Sequence, residues 1–175
     1  TLMVNKSGKR FCNEATNYSA MAGAFHFFDP NEYGYPNLPA WIIFDSNFRE
    51  KYPFSNIMPG ADDPDWFNKS DSLDELAKKL EINIKNLNET INIFNTYVDN
   101  GEDIDFARGK NKYDSFYGDR SQSGVYSTLG KLDKAPFYAV KLDIGALGTN
   151  GGAKTDEYGR VISASGDIIE GLYTV

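Results

Sequence analysis

The sequence contains one cysteine, Cys12, and one histidine, His26, among 175 residues. A lone cysteine allows no internal disulfide, which points to a reducing compartment and so to the cytoplasm. His26 sits between Phe25 and Phe27. Neither metal-ligand spacing nor a nucleophile elbow accompanies it, so it is read as structural and no metal is expected. Positive charge is scarce as well. Eighteen Lys+Arg against 25 Asp+Glu leave a net charge of -7, with a pI near 4.7. Phosphate contacts require clustered basic residues, and the longest clusters here are "GKR" and "AKK", which argues against a nucleic-acid partner. No apolar run approaches the roughly 20 residues of a membrane helix, so no transmembrane segment is expected. The start "TLMVNKSGKR" lacks the charged-then-apolar order of a signal peptide. P-loop and GxGxxG fingerprints are missing too. The chain starts without Met in a strand-like run and ends in another, the pattern of an excised piece.

What is present is a core-forming composition. Hydrophobic residues make up 41% and aromatics 14%, and a chain this long buries roughly 70% of its unfolded surface. "LMVN" and "RFCNE" are predicted as two short strands around a Ser-Gly turn. Tyr18, Met21, Phe25 and Phe28 fall at helical spacing and predict a short helix. "AWIIFD" (40–45) is bounded by Pro39 and predicts a buried strand, whereas 46–69 is broken by prolines yet rich in aromatics. Ser72 with Glu75 three residues on predicts a capping box. Asn83, the stripe Ile84, Leu87, Ile91, Phe94 and Val98, and Gly101 predict a second helix with both ends marked. Residues 102–132 are again irregular, "PFYAVKLDIG" predicts a strand, "AKTDEYGRVI" a two-strand hairpin, and "IIEGLYTV" a last strand after the "SASGD" turn. Strands and helices alternate without a βαβ rhythm. That order indicates an α+β fold, a small mixed or antiparallel sheet with flanking helices.

Residue types that carry chemistry are few. Cys12 is read as a small buried hydrophobe. Arg108, beside the turn residue Gly109, offers either a carboxylate site or, as the plainer reading, a surface ion pair. Tyrosine is abundant, with eleven copies. A pKa near 10 leaves about one part in a thousand ionised at neutral pH, so a catalytic tyrosine needs its phenolate stabilised. "GALGTNGGAKTDEYGRVI" (145–162) places five glycines within fifteen residues. Turn chemistry accounts for Gly159. Gly151 and Gly152, coming after Gly148, suggest a close approach of backbone to another group.

Four stretches, "VNKSGKRFCNE", "LPAWIIFDSNFREKYPF", "SLDELAKKLEIN…LNETINIFNTYVDNGEDIDFARG" and "APFYAVKLDIGALGTNGGAKTDEYGRVISASGDIIEGLY", resemble in that order the second half of FAD-dependent dehydrogenases. The superfamily is that of fumarate reductase flavoproteins and 3-ketosteroid dehydrogenases. Fumarate reductases carry a His-rich stretch before the paired glycines, where this chain has "ALGTNGG", and a basic residue where it has "NEATNYSAM". The ketosteroid branch has an "NExxxY" pattern there, and "NKYDSFYGD" (111–119) resembles that branch too. Ala146 stands where an acidic residue is usual.

The resemblance implies a substrate (cap) domain over 1–145, with 146–175 a hairpin and strand returning to an FAD domain of the same parent chain. It implies α,β-dehydrogenation of a 3-ketosteroid-like hydrophobic ketone. Tyr18 matches the base that takes the proton, and the hydride goes to flavin N5. By the same resemblance Gly151 and Gly152 approach the cofactor, while Thr149 and Tyr117 are substrate-binding residues. The aromatic loops from Tyr33 to Phe67 and "YDSFYGD" are expected to cover an apolar pocket. Two other readings are a fumarate-reductase-like flavoprotein domain and a non-catalytic ligand-binding module. FAD is held mainly by a glycine fingerprint at a helix N-terminus, which these residues lack. The chain purified alone is therefore expected to be colourless and inactive. A stoichiometric chromophore at about 450 nm, where oxidised flavin absorbs, would refute this.

Overall fold

Side chains alternate faces along a strand, so a strand apolar at every position must be covered on both sides. That is the situation of "AWIIFD" in a computed structural model of the chain, which describes residues 1–146, 148 and 151–174. The chain forms two compact units, Thr1–Ile144 and Gly145–Val175. In the first, β1 (Leu2–Asn5), β2 (Ala40–Asp45), β3 (Asn68–Ser70) and β4 (Phe137–Leu142) form an antiparallel sheet in the order β1-β2-β4-β3. The architecture is α+β, with helices α1 (Tyr18–Phe25), α2 (Ser46–Lys51), α3 (Leu73–Lys79), α4 (Ile84–Asn100) and α5 (Lys112–Phe116).

One face of the sheet presents Leu2, Val4, Trp41, Ile43 and Ala139 to Leu76, Leu87, Ile91, Phe94 and Val98. This is the stripe read from α4, except that Ile84 is exposed at the helix start. The caps form as the sequence implies. The Ser72 side chain accepts from Glu75 N, that of Asn83 accepts from Asn86 N, and Gly101 closes α4 in the left-handed conformation, φ 68°. The capping box is only half made, because the Glu75 carboxylate takes the Ser70 hydroxyl at 2.8 Å instead of reaching back. The opposite face carries two clusters. Met3, Cys12, Phe25 and Ala40 form one, and Phe44, Phe67, Tyr138 and Val140, with Phe48 and Phe54 against them, form the other. Short α2 and β3 lie in the stretch read as irregular. Asp45 caps α2 by accepting from Phe48 N at 3.1 Å.

"RFCNE" is not a strand. The Asn5–Lys9 turn closes, with Asn5 N donating to Lys9 O at 3.1 Å, but the ladder goes no further. A side chain takes the strand's place: the Glu14 carboxylate accepts from Met3 N at 3.1 Å on the free edge of β1. In the second unit "AKTDEYGRVI" closes as a short hairpin around the Thr155–Val161 bridge, with Ile162 N donating to Lys154 O at 2.8 Å and Asp156 N to Arg160 O at 3.1 Å. Asp156 collects Tyr158 N, Arg160 N and Arg160 Nε at its turn. The longer strand pair is β5 (Arg160–Ile162) with β6 (Ile168–Tyr173), across the Ser163–Asp167 turn.

Arg10 pairs through both terminal nitrogens with Asp103 at 2.8 Å, and through Nε and one terminal nitrogen with Glu14 at 3.0 and 2.8 Å. Arg108 adds Glu14 at 3.1 Å and the carbonyls of Thr1 and Thr128. All four side chains are almost fully buried. Arg108 is thus an interior charge, not the surface ion pair expected. Burial alone would raise the Glu14 and Asp103 carboxyls. The Arg108 charge and the Arg10 hydrogen bond at Glu14, and Arg10 at Asp103, outweigh it and hold both below the ordinary range.

Asp103→Ala leaves Glu14 as the one carboxylate against both Arg10 and Arg108, one buried positive charge in excess, and is expected to cost about 3–5 kcal/mol in denaturant unfolding. Both carboxyls have lowered folded pKa values. Their contribution is therefore complete above about pH 4 and is lost as pH falls through those lower values. A variant as stable as the parent sequence, with unchanged acid sensitivity, would contradict this.

Candidate active site

The loop that Arg10 and Glu14 pin continues directly into α1. Asn13 holds it further: its amide donates to Asp114 Oδ2 at 2.8 Å, and its own Oδ1 accepts from Ala15 N at 2.9 Å. Asn17 then caps α1 by accepting from Ala20 N. Met21 and Phe25 bury one side of the helix, Phe25 meeting Phe11 edge-on at 5.0 Å. Tyr18, at the first helical position, is left 71% exposed with no hydrogen bond among the described residues.

Tyr18 stands on the wall of a cavity of about 880 Å³ within the first unit. Tyr52, Tyr113, Tyr117 and Tyr126 face the same space. Tyr117 is 79% exposed, ends α5, and packs edge-on against Phe116 at 4.8 Å. Two of the residues singled out from sequence, Tyr18 and Tyr117, therefore share one cavity. Gly151 and Gly152 belong to the second unit, and Thr149 lies outside the described residues.

The aromatic loops divide between two roles. Phe54 and Phe67 fill the unit's own core, stacked or edge-on against Phe44 at 4.9 and 5.3 Å. Tyr33 and Tyr35 pack on Phe28 away from the cavity. From Tyr33 to Phe67 the cavity is reached by α2 and the two residues after it, through Asn47, Phe48, Lys51, Tyr52 and Pro53, whereas the 111–119 loop contributes both Tyr113 and Tyr117. Sequence reasoning missed Tyr52 and its partner Asp119. Burial, and then the hydrogen bond to Asp119, raise the Tyr52 hydroxyl above its usual range. Their sequence separation of 67 leaves no local signal.

His26 is exposed at the end of α1, 6.5 Å from the Tyr35 ring. No group of residues able to hold a metal occurs among the described residues. Nor is any helix among them long and apolar enough to cross a membrane.

Residues 1–175 match the family described as FAD binding domain. The chain belongs to that family. It is 38% identical over 175 residues to 4-oxocyclohexanecarboxylate 2-dehydrogenase of Sinomonas cyclohexanicum, covering 100% of this chain and 30% of that protein. It is 39% identical over 184 residues to 3-oxosteroid 1-dehydrogenase of Mycolicibacterium smegmatis, covering 99% and 32%. The crystal structure of 3-ketosteroid Δ1-dehydrogenase from Sterolibacterium denitrificans, in complex with 1,4-androstadiene-3,17-dione, superposes with a TM-score of 0.81. Its identity is 35%, over 98% of this chain and 32% of that one. The chain spans about a third of the length of these relatives.

In the second unit a Cβ added at Gly145, Gly148, Gly151 or Gly152 would meet no described atom within 4 Å, and the positive φ of Gly151, +116°, is one that favours glycine.

Cys12 takes no part in the chemistry. Burial, and next the Glu14 charge, push its thiol up to about 12. At about pH 8 only one part in roughly 10⁴ is thiolate. Alkylating reagents are expected to leave native Cys12 unmodified and to label it stoichiometrically once the chain is unfolded; rapid labelling of the native protein would contradict the burial.

Proposed function

We propose that this chain is the substrate-binding part of a flavin-dependent dehydrogenase that desaturates a hydrophobic ring ketone of 3-ketosteroid type next to its carbonyl. The observation that carries the reading is Tyr18, an exposed tyrosine at the start of a pinned helix, facing an aromatic-walled cavity of about 880 Å³. Each named relative acts on a six-membered-ring ketone, by its name. That supports a cyclic ketone here.

FAD, when bound, supplies the hydride acceptor. The chain's own residues do the rest. Tyr113, Tyr117 and Tyr126 give the ring a wall of aromatic surface and displace water from it. Tyr18 Oη takes the proton from the carbon next to the carbonyl, a hydrogen acidified by that carbonyl. Holding the base at one position matters because proton transfer needs a heavy-atom approach of about 3 Å. Arg10, Asn13 and Glu14 provide this by fixing the loop that starts α1. Gly151 and Gly152 lie against the cofactor, Thr149 and Tyr117 against the substrate, and the second unit is part of the FAD domain of the parent chain. The lone, buried cysteine supports a cytoplasmic setting.

In the full-length flavoprotein, Tyr18→Phe removes one hydroxyl from an exposed site. Folding and flavin content are expected to be unchanged while ketone turnover falls by about 10²–10⁴. Near-native turnover would dismiss Tyr18 as the base. Reduction of small dicarboxylates with no action on ring ketones would instead favour the fumarate-reductase-like reading.

A further inference from the structure

One wall of the cavity is a strap, residues 111–128, and its two ends are anchored independently. At the start, Asp114 is buried and accepts from Asn13 Nδ2 at 2.8 Å and Gly109 N at 2.9 Å. At the end, Thr128 O accepts from Arg108 at 2.6 Å. The two legs close on each other. Asp119 N donates to Ser127 O at 2.7 Å, and a Cβ on Gly118 would lie 2.5 Å from that same oxygen.

Beyond this closure the tip is exposed from Arg120 to Gly124. Among the described residues, its polar contact with the rest of the unit is made by Asp119 alone. Asp119 Oδ2 accepts from Lys51 Nζ at 2.7 Å and from Tyr52 Oη at 2.5 Å, both at the end of α2. Lys51 also lies 4.9 Å from the Tyr52 ring centre. The contact is 67 and 68 residues distant in sequence and bridges two walls of the cavity. Hydrogen bonds from Lys51, Ser121 and Tyr52 hold the Asp119 carboxyl far below its usual range, so it is anionic at neutral pH. Lys51 is half-exposed, and an ion pair open to water breaks readily. Tyr113, Tyr117 and Tyr126 are the strap's aromatic contribution to the cavity wall.

We propose that Asp119 is a positioning residue that latches the strap to α2, setting the aromatic wall against a ring substrate and releasing it for entry and exit. The proposal rests on the cavity being the substrate site. Asp119 is not a proton carrier in it. The latch acts through where it places Tyr117 and its neighbours, so binding changes more than the chemical step.

The test uses the full-length flavoprotein with Asp119 intact, D119A and D119E, measuring amide exchange over 115–124 and steady-state turnover of 4-androstene-3,17-dione and 4-oxocyclohexanecarboxylate. D119A is expected to exchange faster across that segment and to raise KM about three- to tenfold with kcat held within about twofold. D119E, which keeps the charge, should recover much of both. Unchanged exchange in D119A overturns the latch, and faster exchange with unchanged KM overturns its role in positioning. If the intact enzyme turns over neither ketone, the substrate reading fails, and the exchange measurement still decides whether the latch exists.

Discussion

Two arginines and two carboxylates, packed together under the open edge of β1, carry the constraint on which the rest of the chain depends. Arg10, Glu14, Asp103 and Arg108 are buried as a balanced set, so none can leave without stranding a charge in a poorly solvated interior. That condition fixes four places in the chain at once. It holds the loop leading into α1, it covers the Met3 amide, it ties down the turn after α4, and it sets the start of the 111–128 strap. Tyr18 follows Glu14 and Tyr117 follows Arg108 in the sequence, and the two meet at one cavity because both loops hang from this set.

The aromatic side chains divide between the sheet core and the cavity. Phe44, Phe54 and Phe67 stack beneath the sheet, where a fully apolar ring gains most from burial. Tyr138 joins them, parallel to Phe44 at 5.1 Å, with Lys69 over its ring. Five other tyrosines line the cavity instead, together with Phe48. A wall of that kind offers a flat apolar surface and a wet polar rim together.

Local chemistry made the helices legible. Ser72, Asn83 and Gly101 act on groups within four residues of themselves, so their pattern survives whatever the tertiary context. Strand pairing was less legible. "RFCNE" has the residue types of a strand, yet two of its side chains are needed as buried charges, and Glu14 itself occupies the edge where a strand would pair. In "AKTDEYGRVI" the pairing is kept short, because Asp156 takes Tyr158 N and Arg160 N into the turn. A strand pattern records which residues suit a pleated surface. It does not record a competing side-chain partner far along the chain.

By itself, then, the sequence determined the continuous apolar runs of β2 and β4, the caps and inner stripe of α3 and α4, and the motif that singles out Tyr18. Each depends on neighbours within a turn or two, or on a pattern shared with relatives. The tertiary structure decided that Arg108 is an interior charge, that the aromatics divide between core and cavity, and that Tyr52 meets Asp119 across 67 residues. These outcomes turn on burial and on long-range pairing of charges. Both exist only once the chain has closed on itself, because a charge finds its partner through the fold and not through its place in the sequence.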